Sequence, residues 1–204
     1  YIFDDGHYLM WDKSDPEKNY VAGIDIAEGV GAASSVIQIL DITTLTDIKQ
    51  VAIYHSNIIN PYLFTDKVLE ILQHWGSPPA LIERNNCGAQ VIDSLYMEHE
   101  YPNIVNYNIL KQPKKFNQNR IGVIAHTNSK YKGVMNMRYW INQLNAVKIR
   151  DINTINELKD FVRYPNGTWA AKNKGIDYFD DRVMSLLWAL MILEHPITER
   201  YFEI

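Results

Sequence analysis

The hydrophobic pattern of this chain changes period once, and that change limits the fold more than any other feature. Three β-branched runs come first: Tyr20-Val21-Ala22-Gly23-Ile24-Asp25-Ile26, then Ser35-Val36-Ile37-Gln38-Ile39-Leu40-Asp41-Ile42, then residues 48–55 with Val51, Ile53 and Tyr54. Gly29, Gly31 and Asp47 sit in turn-like joints, which predicts an antiparallel meander. After Asn60 the period becomes helical. Asn60 suits a helix N-cap with Pro61 at the first position, Val68, Leu69, Leu72 and Trp75 share a face, and Gly76 is a stop. The pattern then predicts a strand at 80–83, a helix at 90–100, a fifth strand at 104–107 and a polar loop at 111–120. A helix at 132–144, a short strand at 146–149, a helix at 154–162 and a strand at 168–171 follow. Residues 181–193 are apolar almost all round the helix, so that helix is expected to be buried. A meander followed by alternating helices and strands is an α/β pattern. The expected architecture is a mixed central sheet, three antiparallel strands then parallel strands, flanked by helices.

With 204 residues, 47% of them hydrophobic, the chain fills one core. Residues 20–204 are expected to form one domain, with the polar residues 1–19 a linker or edge segment. No run of roughly 18 uncharged apolar residues exists, so no membrane span is expected. The opening Tyr1-Ile2-Phe3-Asp4-Asp5 lacks the basic and apolar regions of a secretory signal. It also lacks Met, which suggests a piece of a longer protein. One cysteine, Cys87, excludes an internal disulfide and a thiolate zinc site, and fits a reducing cytosol.

The net charge of −4 argues against a nucleic-acid partner, but its distribution argues for one. Residues 101–150 contain no Asp or Glu and nine cations: Lys111, Lys114, Lys115, Arg120, Lys130, Lys132, Arg138, Lys148 and Arg150. Subtracting those nine leaves the rest of the chain at −13. Such asymmetry points either to a field directed at a polyanion or to a solvated basic loop and helix face.

Three acids stand where acids are expensive. Asp25 lies between Ile24 and Ile26 in an apolar strand, where a carboxylate must be paired, hydrogen-bonded or metal-bound unless it faces solvent. Glu83 ends Ala80-Leu81-Ile82, at the end of a strand where α/β sheets place ligands. A salt bridge in the Arg84 region is its structural alternative. Asp180 and Asp181 open the buried helix, where one aspartate suffices as a cap. Clustered carboxylates repel unless cations neutralise them, and hard oxygens suit Mg²⁺ or Mn²⁺. Two such ions can hydrolyse a phosphodiester without a nucleophilic Ser or Cys. Cys87 is expected to be a small residue buried at a helix start rather than a nucleophile.

At these residues the chain resembles the C-terminal nuclease domain of the large terminase subunit, the DNA-packaging motor of tailed bacteriophages, with the large-myophage group most similar. The resemblance spans residues 20–194. Its motifs are Val21-Ala22-Gly23-Ile24-Asp25-Ile26-Ala27-Glu28-Gly29, Leu81-Ile82-Glu83-Arg84-Asn85 and Asp180-Asp181-Arg182-Val183-Met184-Ser185-Leu186. It implies a ribonuclease-H-like fold and a Mg²⁺- or Mn²⁺-dependent endonuclease using two ions. Asp25, Glu83 and Asp181 would be the catalytic metal-binding acids, with Asp180 a further ligand. The substrate would be concatemeric double-stranded viral DNA. Partners would be the N-terminal ATPase domain of the full-length protein, the portal protein and the small terminase subunit, in the host cytoplasm and at the procapsid portal. No phosphate-loop motif Gly-x-x-x-x-Gly-Lys-Ser/Thr occurs, so the ATPase would lie outside this chain. Lys111, Lys114, Lys115, Arg120, Lys130 and Lys132 would face DNA. Gly122, Thr127, Lys130 and Lys132 resemble the family's Gly–Thr–basic pattern.

The chain departs from that family at Ala33, in Gly29-Val30-Gly31-Ala32-Ala33-Ser34-Ser35, where relatives carry another aspartate. Either this chain does without the acid or a substitution has removed it. A non-catalytic DNA-binding module with a decayed site is the reading Ala33 favours. An actin-like or sugar-kinase ATPase shares the strand–acid–glycine opening, but no second phosphate-binding glycine turn is found. A resolvase or integrase of the same fold is the remaining alternative.

Overall fold

Residues 1–31, 33–107, 121–172 and 179–201 are described in the computed structural model of the chain. Residues 1–19 contribute β1 (Phe3–Asp4) and β2 (Tyr8–Met10), which form a hairpin. The three β-branched runs become β3 (Tyr20–Asp25), β4 (Ser35–Asp41) and β5 (Ile48–Ser56), paired antiparallel in chain order. The second strand of the hairpin lies antiparallel to β5. Across the meander, β6 (Ala80–Ile82) pairs parallel with β3, and β7 (Val147–Lys148) pairs parallel with the start of β5. The sheet order is β1-β2-β5-β4-β3-β6, a mixed sheet as the periods predict.

The structure departs from the expected elements in three places. Residues 104–107 form no continuous strand among the described residues. Ile104 bridges Ala80 and Val123 bridges Glu83, so two short pieces share the outer edge of β6. Gly122 makes this close approach feasible: its φ is +83°, and a Cβ there would lie 2.6 Å from the Ile82 carbonyl oxygen. The helix expected at 132–144 begins earlier, as α3 (Thr127–Arg138), because His126 and Ser129 form a reciprocal capping box. A π-helical turn, Tyr139–Gln143, continues it. The helix expected at 154–162 is α4 (Ile152–Asp160), capped by Asp151. Phe161 and Val162 leave it for the hairpin β8 (Phe161–Arg163) and β9 (Trp169–Ala171), where Phe161 stacks on Trp169.

The other helices follow the pattern closely. α1 (Pro61–His74) starts on an Asn60 side chain that accepts from the Leu63 N–H. α2 (Gly88–Met97) covers the same face of the sheet. α5 (Asp181–Met191) is buried along its length and ends in a 3₁₀ turn, Ile192–Glu194.

Strand alternation divides two cores. Tyr20, Ala22 and Ile24 of β3 pack with Phe64, Val68 and Leu72 of α1 and with Val91 and Ile92 of α2. Val21 and Leu81 face the other way, toward Val134 of α3 and Leu186, Leu187 and Trp188 of α5. Gly23 sits under α5 so tightly that a Cβ would overlap the Ser185 carbonyl and the Ala189 backbone. Each fully buried side chain of this kind contributes about 1.5–3 kcal/mol. The run from Val183 to Ile192 therefore fixes α5 firmly against β3, and with it the acids at its first turn.

Candidate metal centre

The period of a strand places two acids on one face. On β3, Gly23 meets α5, and Asp25 is the next residue with that direction. On β6, Leu81 packs into the α5 core, and Glu83 is the next. Gly23 pairs with Leu81 and Ile24 with Ile82 in parallel register. One step on, Asp25 and Glu83 leave adjacent strands side by side, and the Glu83 N–H donates to the Ile24 carbonyl at 2.9 Å. The third element is α5, which opens on Asp181 with Asp180 just before it.

Donors hold these carboxylates in place. The Ser34 N–H donates to Asp181 Oδ2 at 2.5 Å. The Trp188 indole N–H donates to Glu83 Oε2 at 3.1 Å, and the Ile26 N–H to Asp25 Oδ1 at 3.0 Å. Asp180 is different. It occupies the N-cap position of α5 but its side chain caps nothing. Its Oδ2 is enclosed without a hydrogen-bond donor, and Lys130 Nζ from α3 stands 4.0 Å away, beyond hydrogen-bonding distance.

The electrostatics are those of an acid cluster short of positive charge. Burial pushes the Asp25 carboxyl well above the usual range, and the charges of Glu83, Asp181 and Asp180 push it further. Burial also raises Glu83, against the pull of Lys130 and the Trp188 N–H. Asp181 is pushed up to about 6, by burial first, although the Ser34 N–H favours its charged form. Two bare carboxylates about 4 Å apart repel by about 4 kcal/mol at the effective dielectric of a protein surface. The cluster therefore takes up protons or cations. Among the described residues no three His, Cys, Asp or Glu side chains already close into a coordination set. The donor chemistry nonetheless fits a hard divalent cation, and the enclosed, donorless Asp180 oxygen fits one best.

The remaining expected residues fall into three groups. Lys130 is half-buried beside Asp180, while Lys132 is exposed further along α3, which starts at Thr127 soon after Gly122. Lys111, Lys114, Lys115 and Arg120 lie outside the described residues. Lys148 pairs with Asp47, and Arg150 Nη1 lies 2.9 Å from Asp12 Oδ1, so part of the acid-free stretch is tied to acids elsewhere. The structure does not use the alternative pairing of Glu83: Arg84 turns to Asp93 Oδ1 at 3.2 Å and the Ile121 carbonyl at 3.3 Å. Cys87 is the half-buried residue before α2, and burial pushes its thiol up, away from the reactive thiolate. Ala33 directly precedes Ser34, whose N–H donates to Asp181.

Sequence reading missed the polar frame behind the acids. Gln38 of β4 donates to the Arg182 carbonyl at 2.9 Å and to Thr154 Oγ1 at 3.2 Å, and accepts from Gln50 of β5 at 2.6 Å. Gln50 in turn accepts the N–H groups of Arg150 and Asp151, each at 2.7 Å. Glu157 of α4 binds Arg182, and burial pushes its carboxyl up to about 7. Two glutamines inside apolar strands were a visible signal of buried pairing. Glu157 gave none, because its partner is 25 residues away in the chain.

A family model described as the terminase RNaseH-like domain matches residues 22–193. The large terminase nuclease of the thermophilic phage G20c, crystallised with magnesium, superposes with a TM-score of 0.70 at 18% identity, covering 93% of this chain and 89% of that one. The large terminase nuclease domain of Thermus phage P74-26 gives 0.64 at 17% identity, with 94% and 88% covered. The large terminase nuclease domain of bacteriophage SPP1, with manganese, gives 0.51 at 17% identity, with 85% of each chain covered. What these structures share with the chain is the ribonuclease-H-like fold.

Proposed function

This chain belongs to the terminase RNaseH-like domain family, and from that premise we propose that it is a metal-dependent endonuclease acting on double-stranded viral DNA during genome packaging. The observation that carries this reading is the convergence of Asp25, Glu83, Asp180 and Asp181 from three elements, with one enclosed Asp180 oxygen lacking any donor. A fold needs no such cluster, since each acid raises the cost of its neighbours. Asp25, Glu83 and Asp181 would hold the cations, with Asp180 a further ligand. The G20c nuclease with magnesium and the SPP1 domain with manganese support a divalent cation, and the number of acids suits two.

When bound, such ions supply positive charge to a phosphodiester and activate water for its hydrolysis. The chain's own residues prepare for this. The Ser34 and Trp188 N–H groups orient Asp181 and Glu83, each through one carboxylate oxygen. Lys130 and Lys132 lie on α3, where a phosphate backbone would approach, and Lys111, Lys114, Lys115 and Arg120, outside the described residues, are further proposed DNA contacts. The ATPase domain, the portal protein and the small terminase subunit are the proposed partners, and the host cytoplasm the proposed place. No helix among the described residues is long and apolar enough to cross a membrane.

Supercoiled plasmid incubated with the domain in Mg²⁺ or Mn²⁺ tests the reading. Nicking and linearisation are expected, and Asp25→Asn, Glu83→Gln and Asp181→Asn should each abolish them without loss of fold. Cleavage that persists in all three variants would overturn the assignment. Ala33, beside Ser34, supports one rival, a DNA-binding module with a decayed site. That rival predicts salt-sensitive DNA binding and no cleavage even after Ala33→Asp.

A further inference from the structure

We propose that Glu157 is a positioning residue that caps α5 from a neighbouring helix and thereby leaves Asp180 free to bind metal. The second half of this statement rests on the metal reading above. A helix leaves its first N–H groups without acceptors of its own, and an aspartate at the N-cap ordinarily accepts one of them. Asp180 occupies that position at the start of α5 and accepts none. The two groups it would serve are served from outside. The Arg182 N–H donates to Glu157 Oε2 at 2.9 Å and the Val183 N–H to the same oxygen at 3.4 Å. The other oxygen, Oε1, accepts from Arg182 Nη1 at 2.9 Å. One carboxylate on α4 thus satisfies two backbone donors and one guanidinium at the first turn of α5.

Glu157 can do this only if α4 is held still, and buried amides hold it. Asp151 caps α4 through the Thr154 N–H at 2.8 Å and the Thr154 hydroxyl at 2.7 Å. Gln50 fixes the backbone at Arg150 and Asp151, while Gln38 joins Thr154 to the Arg182 carbonyl. The first turn of α5 is therefore gripped on its N–H side by Glu157 and on a carbonyl by Gln38, both anchored through β4 and β5.

The consequence falls on Asp180. Its Oδ2 remains enclosed with no donor, close to Lys130 and to the other acids. Without Glu157, the Arg182 and Val183 N–H groups would lack that acceptor, and Asp180, which occupies the N-cap position, is the residue whose side chain ordinarily serves them. Turning to cap would take its carboxylate out of the cluster. Asp181 would stay, because the Ser34 N–H holds it independently.

The test measures Mn²⁺ uptake by the resonance of free Mn²⁺ in wild type, Glu157→Ala, Glu157→Gln, Asp180→Asn and the double variant Glu157→Ala/Asp180→Asn. Amide hydrogen exchange at Arg182 and Val183 is followed in parallel in chelator. Glu157→Ala should speed that exchange and weaken Mn²⁺ binding about tenfold, the scale expected when a residue that orients a metal ligand is removed. Glu157→Gln keeps a carbonyl acceptor and should fall between wild type and alanine on both readouts. Asp180→Asn should also weaken Mn²⁺ binding, yet add little in the Glu157→Ala background, where Asp180 has already turned away. Unchanged exchange in Glu157→Ala would overturn the capping role, and full additivity of the two losses would overturn the link to Asp180. Failure of the metal reading itself would look different, as wild-type protein that takes up no Mn²⁺.

Discussion

The indole N–H of Trp188 donates to Glu83 Oε2 at 3.1 Å, so the buried face of α5 holds the acid at the end of β6 while its first turn supplies Asp181. One helix thereby sets the relation between two of the three elements of the cluster.

Trp188→Phe should keep the packing and remove the donor. Glu83 would lose its orientation, and the Mn²⁺ concentration needed for half-maximal plasmid cleavage should rise about tenfold. Circular dichroism should remain that of the folded chain. An unchanged Mn²⁺ requirement would show that this hydrogen bond does not prepare the site.

Gly23→Ala should be costly for a different reason. The added methyl meets the α5 backbone at Ser185 and Ala189, which cannot move aside as a side chain could. A loss of about 1–3 kcal/mol is expected in urea denaturation, together with reduced cleavage, because α5 and its acids are displaced from β3. Full activity and stability in this variant would contradict the close packing.

The metal-free domain should gain stability as pH falls from about 8 to 6.5. Asp181 at about 6 and Glu157 at about 7 lie above ordinary carboxylate values, both chiefly through burial. A raised folded pKa gives stability that is complete below the unfolded value and lost as pH rises through the folded one. His55 acts oppositely at lower pH: burial and the charge of Arg182 depress it to about 4, so its contribution falls as pH drops from about 6.5 toward 4. Thermal melting in chelator should show the gain, Mn²⁺ should diminish it by favouring the charged acids, and Glu157→Gln should reduce its slope. Melting temperatures that rise with pH over that upper window in chelator would contradict the assignment.

Charge reversal should separate the cations by position. Lys130→Glu and Lys132→Glu should weaken duplex binding and lower the slope of log affinity against log salt by about 0.9 for each phosphate no longer neutralised. Lys148→Glu should leave that slope unchanged, because Lys148 pairs with Asp47. Equal effects at all three would mean a diffuse field rather than a surface near α3. Fluorescence anisotropy across a salt series distinguishes the cases.

Local pattern carried much of the fold. The β-branched runs, the Asn60–Pro61 helix start and the apolar α5 are all stated by short stretches of chain, because alternation and capping are local physics. Boundaries were lost where a partner distant in sequence decided them. Phe161 left its helix to pair with the β9 strand, and Ile104 and Val123 divided one strand position beside β6.

The same division runs through the site. By itself the sequence determined that Asp25, Glu83 and Asp181 were unusual acids in a chain-order pattern shared with a known family, because an ionisable group at the end of an apolar run is conspicuous. Only the tertiary structure decided that parallel register sets Asp25 beside Glu83, that the Ser34 N–H holds Asp181, and that Glu157, rather than either adjacent aspartate, accepts the first-turn N–H groups of α5. Those relations come from packing α4 and α5 across the strands, and a contact between residues far apart in the chain leaves no periodic trace in either segment.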